Sequence, residues 1–162
     1  MIITIGFSSA KSDWMLFARA IEAVEKRPFS HVYVKYSEEG QDSVVFHATG
    51  AGVHKNYYSD FLKHNTVIKE YHLDFNELES EEFYDLMEEL LNRSYSWLDI
   101  VGIFWRKMTH LKNPFKDGLT TVICSELGAK VCKIKKIAIP EPLDDITPSD
   151  LDKVLEEYKR SV

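Results

Sequence analysis

The sequence predicts an α+β domain in which a small antiparallel β-sheet packs against helices. Short runs of β-branched and aromatic residues occur in the first half of the chain, and two of them flank a turn-like loop, as in a β-hairpin. Elsewhere, apolar residues recur at helical spacing. The 162 residues, 44% of them hydrophobic, are enough to bury one core without disulfides or metals, so we expect a single domain over residues 1–162.

The strands are predicted mainly from runs of β-formers. These runs are Met1–Phe7, His31–Tyr36, Ser43–Ala48 and a segment near Val67–Leu73. A helix is expected after the first strand, because Ser12 or Asp13 can cap it, apolar residues follow at helical spacing, and Pro28 ends it. Ser37–Asp42 is the predicted hairpin loop, in which Gly40 can adopt a positive φ.

The second half of the chain is predicted to be mostly helical. The expected helices are Glu81–Arg93, Trp97–Met108, a short helix that starts near Cys124, and a last helix that starts at Thr147-Pro148. Thr147 can cap that last helix, and Pro148 suits its first position. Ile134–Ile139 is predicted to be a further strand because its isoleucines resemble the other β-rich runs.

Composition excludes several classes of function. Twenty basic and 26 acidic side chains give a formal net charge of −6, whereas a general nucleic-acid binder carries a basic patch. No apolar run reaches the roughly 18 residues that a membrane span needs, and the N-terminus does not resemble a secretory signal. We therefore expect a soluble cytoplasmic protein, and a phage-encoded protein is consistent with the same features.

Cys124 is the candidate nucleophile. It lies in the sequence VICSEL, where an apolar run meets a predicted helix. A thiol at a helix N-terminus experiences the positive end of the helix dipole, which lowers its pKa and favours the thiolate. Free cysteine is also among the most buried residue types, so a structural role stays open. Cys132 lies roughly 12 Å further along that helix, too far to form a disulfide with Cys124, and is expected in the core.

His31 and His47 are the candidate base and its orienting partner. If the hairpin loop is centred on Glu39, paired residues sum to 78 and His31 lies directly opposite His47. Directly opposed residues share one face of the sheet and can contact each other. One imidazole can then orient the other, as nucleophilic catalysis requires of a base. Two unrelated histidines in an edge hairpin remain the alternative.

No cofactor or metal site is predicted. The glycines of the segment from Thr49 to Gly52 follow no phosphate-binding pattern, and the remaining histidines follow no metal-ligand spacing. A metal held by His31, His47 and Cys124 is a minor alternative.

Together these segments resemble the circularly permuted branch of the NlpC/P60 papain-like hydrolases, in which the histidine strand precedes the cysteine helix. The matching segments are Phe29–Val34, Val45–Val53, Tyr95 with Asp99–Gly102, Val122–Leu127 and Ile146–Leu151. The resemblance covers about residues 28–155. It implies a permuted papain-like fold with Cys124 as nucleophile, His31 as general base and His47 as the residue that orients His31.

The resemblance implies a cysteine hydrolase that acts on an amide or ester bond through an acyl-enzyme. Its substrate would be a peptide, such as a cell-wall peptide, another amide or isopeptide, or an acyl lipid. Two alternatives stay open: an acyltransferase or acyl hydrolase for lipids on the same scaffold, and a catalytically silent binding domain. The backbone N–H of Cys124 is the oxyanion donor that the resemblance implies. The second oxyanion donor, the acyl acceptor and the oligomeric state stay open.

Overall fold

A computed structural model describes residues 1–11, 15–37, 41–49, 52–91, 124–140, 142–143 and 146–161. The predicted helix Trp97–Met108, the cap candidates Ser12 and Asp13, Gly40 of the predicted hairpin loop and the segment that leads into Cys124 lie outside these ranges. The strands are β1 (Ile2–Ala10), β2 (His31–Tyr36), β3 (Val44–Thr49), β4 (Gly52–Tyr57) and β5 (Asn65–Asp74). The helices are α1 (Met15–Glu25), α2 (Tyr58–His64), α3 (Glu77–Leu91), α4 (Cys124–Ile134) and α5 (Pro148–Ser161). The predicted α+β class is confirmed.

The strands form one five-stranded antiparallel sheet in the order β4-β3-β2-β1-β5. The strands β4 and β5 lie on opposite edges although only α2 separates them in the chain. The chain therefore crosses one face of the sheet between β4 and β5. Phe61 of α2 packs there against Tyr33 and Val45 in the middle of that face.

The other face carries the main hydrophobic core. Alternating side chains of the central strands, including Ile5, Val32 and Val34, are completely buried there. Leu127 of α4 and Leu151 of α5 belong to the same cluster. Strand β2 is therefore buried on both faces, as its near-continuous run of β-formers requires.

The hairpin of β2 and β3 has a different register from the predicted one. Tyr33 lies opposite His47, so that paired residues sum to 80 rather than 78 and His31 is a diagonal neighbour of His47. The prediction of direct opposition was therefore wrong. Because side chains alternate with a period of two residues, a shift of this size leaves both histidines on the same face.

The segment Ile134–Ile139 is not a strand, contrary to prediction. Helix α4 continues to Ile134, and Lys136 then adopts a left-handed conformation with φ 56°. The N–H of Lys136 donates to Lys133 O and the N–H of Ile137 to Cys132 O, the paired bonds of a Schellman motif. These isoleucines therefore terminate a helix, and Ile137 is buried in the core.

Strand β4 and helix α2 are elements that the sequence analysis missed. Lys55, Asn56 and Tyr57 are exposed at the sheet edge, so β4 carries little apolar alternation.

In contrast, the cap predicted for the last helix is confirmed, since the Asp150 N–H donates to Thr147 Oγ1 at 3.2 Å. Within the described ranges, none of the helices has the length and apolar character needed to cross a membrane.

Candidate active site

The position of Cys124 follows from the packing of α4 on β2. Gly128 lies one turn after Cys124, and a Cβ at this glycine would lie 2.6 Å from Leu151 Cδ2 and 3.1 Å from Val32 Cγ1. The absence of a side chain therefore lets α4 approach the strand closely. At the start of α4, Ser125 Oγ donates to Ile146 O at 2.6 Å and fixes the helix N-terminus. These contacts place the thiol at the first residues of β2.

The Cys124 thiol lies in a buried environment with several backbone donors. Its side chain belongs to the buried core, with 7% of the residue exposed. Burial raises the pKa of the thiol, and the nearby Glu25 carboxylate raises it further. The backbone N–H groups of Val32, Ser125 and Cys124 itself lower that pKa but do not outweigh burial. The helix N-terminus thus lowers the pKa of Cys124 as expected, but burial raises this pKa by more. The resting side chain is therefore a thiol.

His31 and His47 are brought together as a hydrogen-bonded pair. His31 Nε2 lies 3.3 Å from His47 Nδ1, and the rings are nearly perpendicular. Phe61 from α2 packs against both rings and shields them from water. Burial, followed by the like charge of its neighbour, lowers the pKa of His31 to about 3; burial and the nearby His54 lower the pKa of His47 to about 4. Both imidazoles are therefore neutral near pH 7.

Cys124 contacts the histidine strand without a hydrogen bond to His31. The thiol meets β2 through the backbone N–H of Val32, the residue next to His31. The Nε2 atom of His31 faces His47, so Nδ1 is the ring nitrogen that points away from the histidine pair. The ring of His31 packs on Phe61 on the sheet face that α2 covers, whereas α4 packs against Val32 on the other face.

Asn56 extends the histidine pair, and the sequence analysis did not identify it. Its Nδ2 lies 3.0 Å from His47 Nε2. His54, two residues earlier on β4, is directly opposite His47. Had β4 been predicted, the polar residues at positions 54 and 56 would have been placed on the same face as His47.

Helix α1 is anchored beside the site by carboxylates. Glu22 Oε1 accepts hydrogen bonds from the Ser9 and Ser30 hydroxyls. Glu25 Oε2 accepts the Ser149 N–H at 3.1 Å, at the N-terminus of α5. The end of α1 thus connects the sheet to α5 next to Cys124.

The described residues contain no cluster of three or more histidine, cysteine or acidic side chains that could hold a metal ion. His31, His47 and Cys124 therefore do not form the metal site that the sequence left as a minor alternative. Cys132 is completely buried, as expected, and burial raises its pKa to about 12.

Comparison of this chain with family models, with curated proteins and with solved structures finds no match.

Proposed function

We propose that this protein is a cysteine hydrolase of the circularly permuted NlpC/P60 type, which cleaves an amide or ester bond through an acyl-enzyme on Cys124. The observation that carries the proposal is the part-buried His31–His47 hydrogen bond at the start of β2, where the N-terminus of the cysteine helix contacts the same strand. A nucleophile, a base and a group that orients the base are the three parts of such a site.

The proposed reaction has two halves, the acylation of Cys124 and the hydrolysis of the acyl-enzyme. In each half His31 accepts one proton and then donates it. Cys124 Sγ attacks the carbonyl carbon while its proton passes to His31 Nδ1, and the resulting imidazolium donates its Nε2–H to His47 Nδ1. Collapse of the tetrahedral intermediate breaks the bond to the leaving group, which takes the proton from His31, and leaves a thioester. Water then attacks the thioester as His31 accepts its proton, and the proton returns to the Cys124 sulfur as the acid leaves.

The neutral resting state fits an enzyme that is activated by its substrate. Burial disfavours both the thiolate and the imidazolium, so an isolated ion pair is not stable in the empty site. Backbone N–H groups at the start of α4 are positioned to favour negative charge that develops beside Cys124. Peptides, other amides, isopeptides and acyl lipids all contain the carbonyl group that this mechanism needs.

The experiment is acylation with p-nitrophenyl acetate in the Cys132→Ser background, followed by mass spectrometry to locate the acetyl group. We expect acetylation at Cys124 with release of nitrophenolate, and none at this position in Cys124→Ala. His31→Gln should slow the reaction by about 10²- to 10⁴-fold, the usual contribution of a general base. His72→Gln, which changes an exposed histidine on the edge strand β5, is the matched control and should have no effect.

Two results would decide between the proposal and its alternatives. Acetylation that is absent, or equal in the His31→Gln and wild-type chains, would overturn the hydrolase proposal. It would favour a silent binding domain, which the raised pKa of Cys124 and the missing Cys124–His31 hydrogen bond would then explain. Transfer of the acetyl group to an added amine in preference to water would indicate an acyltransferase instead.

A further inference from the structure

The two ring nitrogens of His47 each have a different partner. Nδ1 faces His31 Nε2 at 3.3 Å, and Nε2 faces the amide nitrogen of Asn56 at 3.0 Å. A neutral imidazole carries one proton, so one of its nitrogens donates and the other accepts. The partner at one nitrogen therefore determines where the proton of His47 resides.

The observed orientation of the Asn56 amide determines which ring nitrogen carries the proton in His47 and in His31. The Nδ2 group of Asn56 can only donate, so His47 Nε2 must accept and the His47 proton lies on Nδ1. His47 Nδ1–H then donates to His31 Nε2, and the proton of a neutral His31 lies on Nδ1. In this state, the His31 nitrogen that faces away from His47 cannot act as a base.

A half-turn of the Asn56 amide reverses each of these assignments. Oδ1 then faces His47 Nε2, which must donate, so His47 Nδ1 becomes an acceptor. His31 donates from Nε2, and its Nδ1 carries a lone pair that can take a proton. Asn56 is free to make this turn because its residue is exposed on the edge strand and His47 is the hydrogen-bond partner of its amide within the described part of the chain.

We propose that Asn56 is a positioning residue whose amide orientation sets the tautomers of His47 and His31, and so switches His31 between a form that cannot accept a proton at Nδ1 and a form that can. The described groups that face His47 from the neighbouring elements are His31 and Tyr33 on β2, His54 and Asn56 on β4, and Phe61 on α2. The consequence for turnover rests on the proposed hydrolase function, whereas the tautomers can be measured without any turnover.

The test is two-bond ¹H–¹⁵N spectroscopy of the ¹⁵N-histidine-labelled full chain near pH 7, which distinguishes protonated from unprotonated ring nitrogens. In the wild type we expect the protonated nitrogen of His47 to be Nδ1. Asn56→Asp replaces the donor with groups that only accept, so His47 should carry its proton on Nε2. Asn56→Gln retains both a donor and an acceptor and should restore the wild-type spectrum.

The control is Asn76→Asp, the same chemical change at the exposed start of α3. There the side-chain Oδ1 of Asn76 accepts the Glu79 N–H at 3.0 Å, a role that aspartate also fills. This variant should leave the His47 spectrum unchanged. If Asn56→Asp leaves the His47 tautomer as in the wild type, or if Asn76→Asp shifts it equally, the proposal is overturned.

Rates of p-nitrophenyl acetate hydrolysis then separate this proposal from the hydrolase proposal. Asn56→Ala should reduce the rate by about tenfold, because it removes the Oδ1 acceptor that favours the His47 tautomer whose Nδ1 accepts from His31, about one hydrogen bond's worth of free energy. Asn56→Asp should move the acidic limb of the pH–rate profile upward by about one unit, because a nearby carboxylate favours the protonated imidazoles. A tautomer change without turnover in any chain, the wild type included, would support the role of Asn56 and count against the hydrolase function alone.

Discussion

The His31–His47 pair predicts a specific loss of stability in acid. Both histidines have an ordinary pKa of 6.5, and in the folded chain the pKa is lowered to about 3 for His31 and about 4 for His47. Between these values the unfolded chain binds more protons than the folded chain. The free energy of unfolding therefore has its full contribution from this pair above pH 6.5 and falls as the pH decreases towards 4.

The size of the effect follows from the same pKa values. For each histidine, lowering the pH from 7 to 5 stabilises the unfolded chain by about 2 kcal/mol relative to the folded chain. The pair titrates as a unit and His31 retains some exposure, so we expect about 2 to 4 kcal/mol for the two together.

The perturbation is replacement of each histidine by glutamine, which forms hydrogen bonds but does not titrate. Urea unfolding at pH 7, 6 and 5, followed by far-ultraviolet circular dichroism, gives the free energy of unfolding of each chain. The free energy of unfolding declines between pH 7 and 5, and His47→Gln should remove about half of the decline that the pair causes. The double variant with His31→Gln should remove all of it. His72→Gln serves as the control for an exposed histidine and should decline like the wild type.

Carboxylates contribute little to this difference because their ordinary pKa values lie below the range measured. Comparing each variant with the wild type also cancels the contributions of the other histidines. An equal decline in the wild type and in the double variant would refute the claim that the two imidazoles are buried in their neutral form.

Three further changes test the packing that supports the site. Gly6→Ala should destabilise the chain by about 3 kcal/mol, because the new Cβ would overlap the buried Tyr33 ring; thermal unfolding measures this, and an unchanged midpoint would contradict the close packing. Asp152→Asn should lower the free energy of unfolding by about 2 kcal/mol, since a completely buried carboxylate that accepts from Lys69 Nζ at 2.8 Å would be replaced by a neutral amide. Urea titration at pH 7 measures this change, and an unchanged free energy would mean that the Asp152–Lys69 pair contributes nothing. Lys136→Gly should raise the free energy of unfolding by about 0.5 to 1 kcal/mol by relieving the left-handed conformation at the end of α4, and a decrease in the same titration would count against the Schellman motif.

The sequence predicts those elements whose local signals agree with their tertiary surroundings. Strand β2 has the predicted bounds because its β-formers are also buried, and α5 has the predicted capping threonine. The hairpin register differs by two residues from the predicted one, since Tyr33 rather than His31 lies opposite His47. A pattern of apolar alternation determines which face a residue occupies, but not which of two equivalent registers forms.

The missed features depend on contacts that no local pattern encodes. The segment after Ile134 satisfies a strand pattern, yet the end of a helix uses the backbone N–H groups of Lys136 and Ile137. The effect of the helix dipole on Cys124 was predicted from its position, whereas the larger effect of burial requires the packing of α4 on β2. Asn56 could not be connected with His47 until the pairing of β3 and β4 was known.

Helix α2 is the short segment that covers the histidine pair. It has only seven residues, and Phe61 is its buried side chain. A helix of this length has little stability of its own and depends on tertiary contacts, namely the packing of Phe61 and hydrogen bonds such as Tyr58 Oη to Glu70 Oε1 and Lys11 Nζ to Leu62 O. Local opening of α2, without separation of any strands, would remove Phe61 from both imidazoles and expose them to water. The protonation of the histidine pair is thus coupled to the local unfolding equilibrium of one short segment, and hydrogen exchange of its amides would measure how often the pair is hydrated.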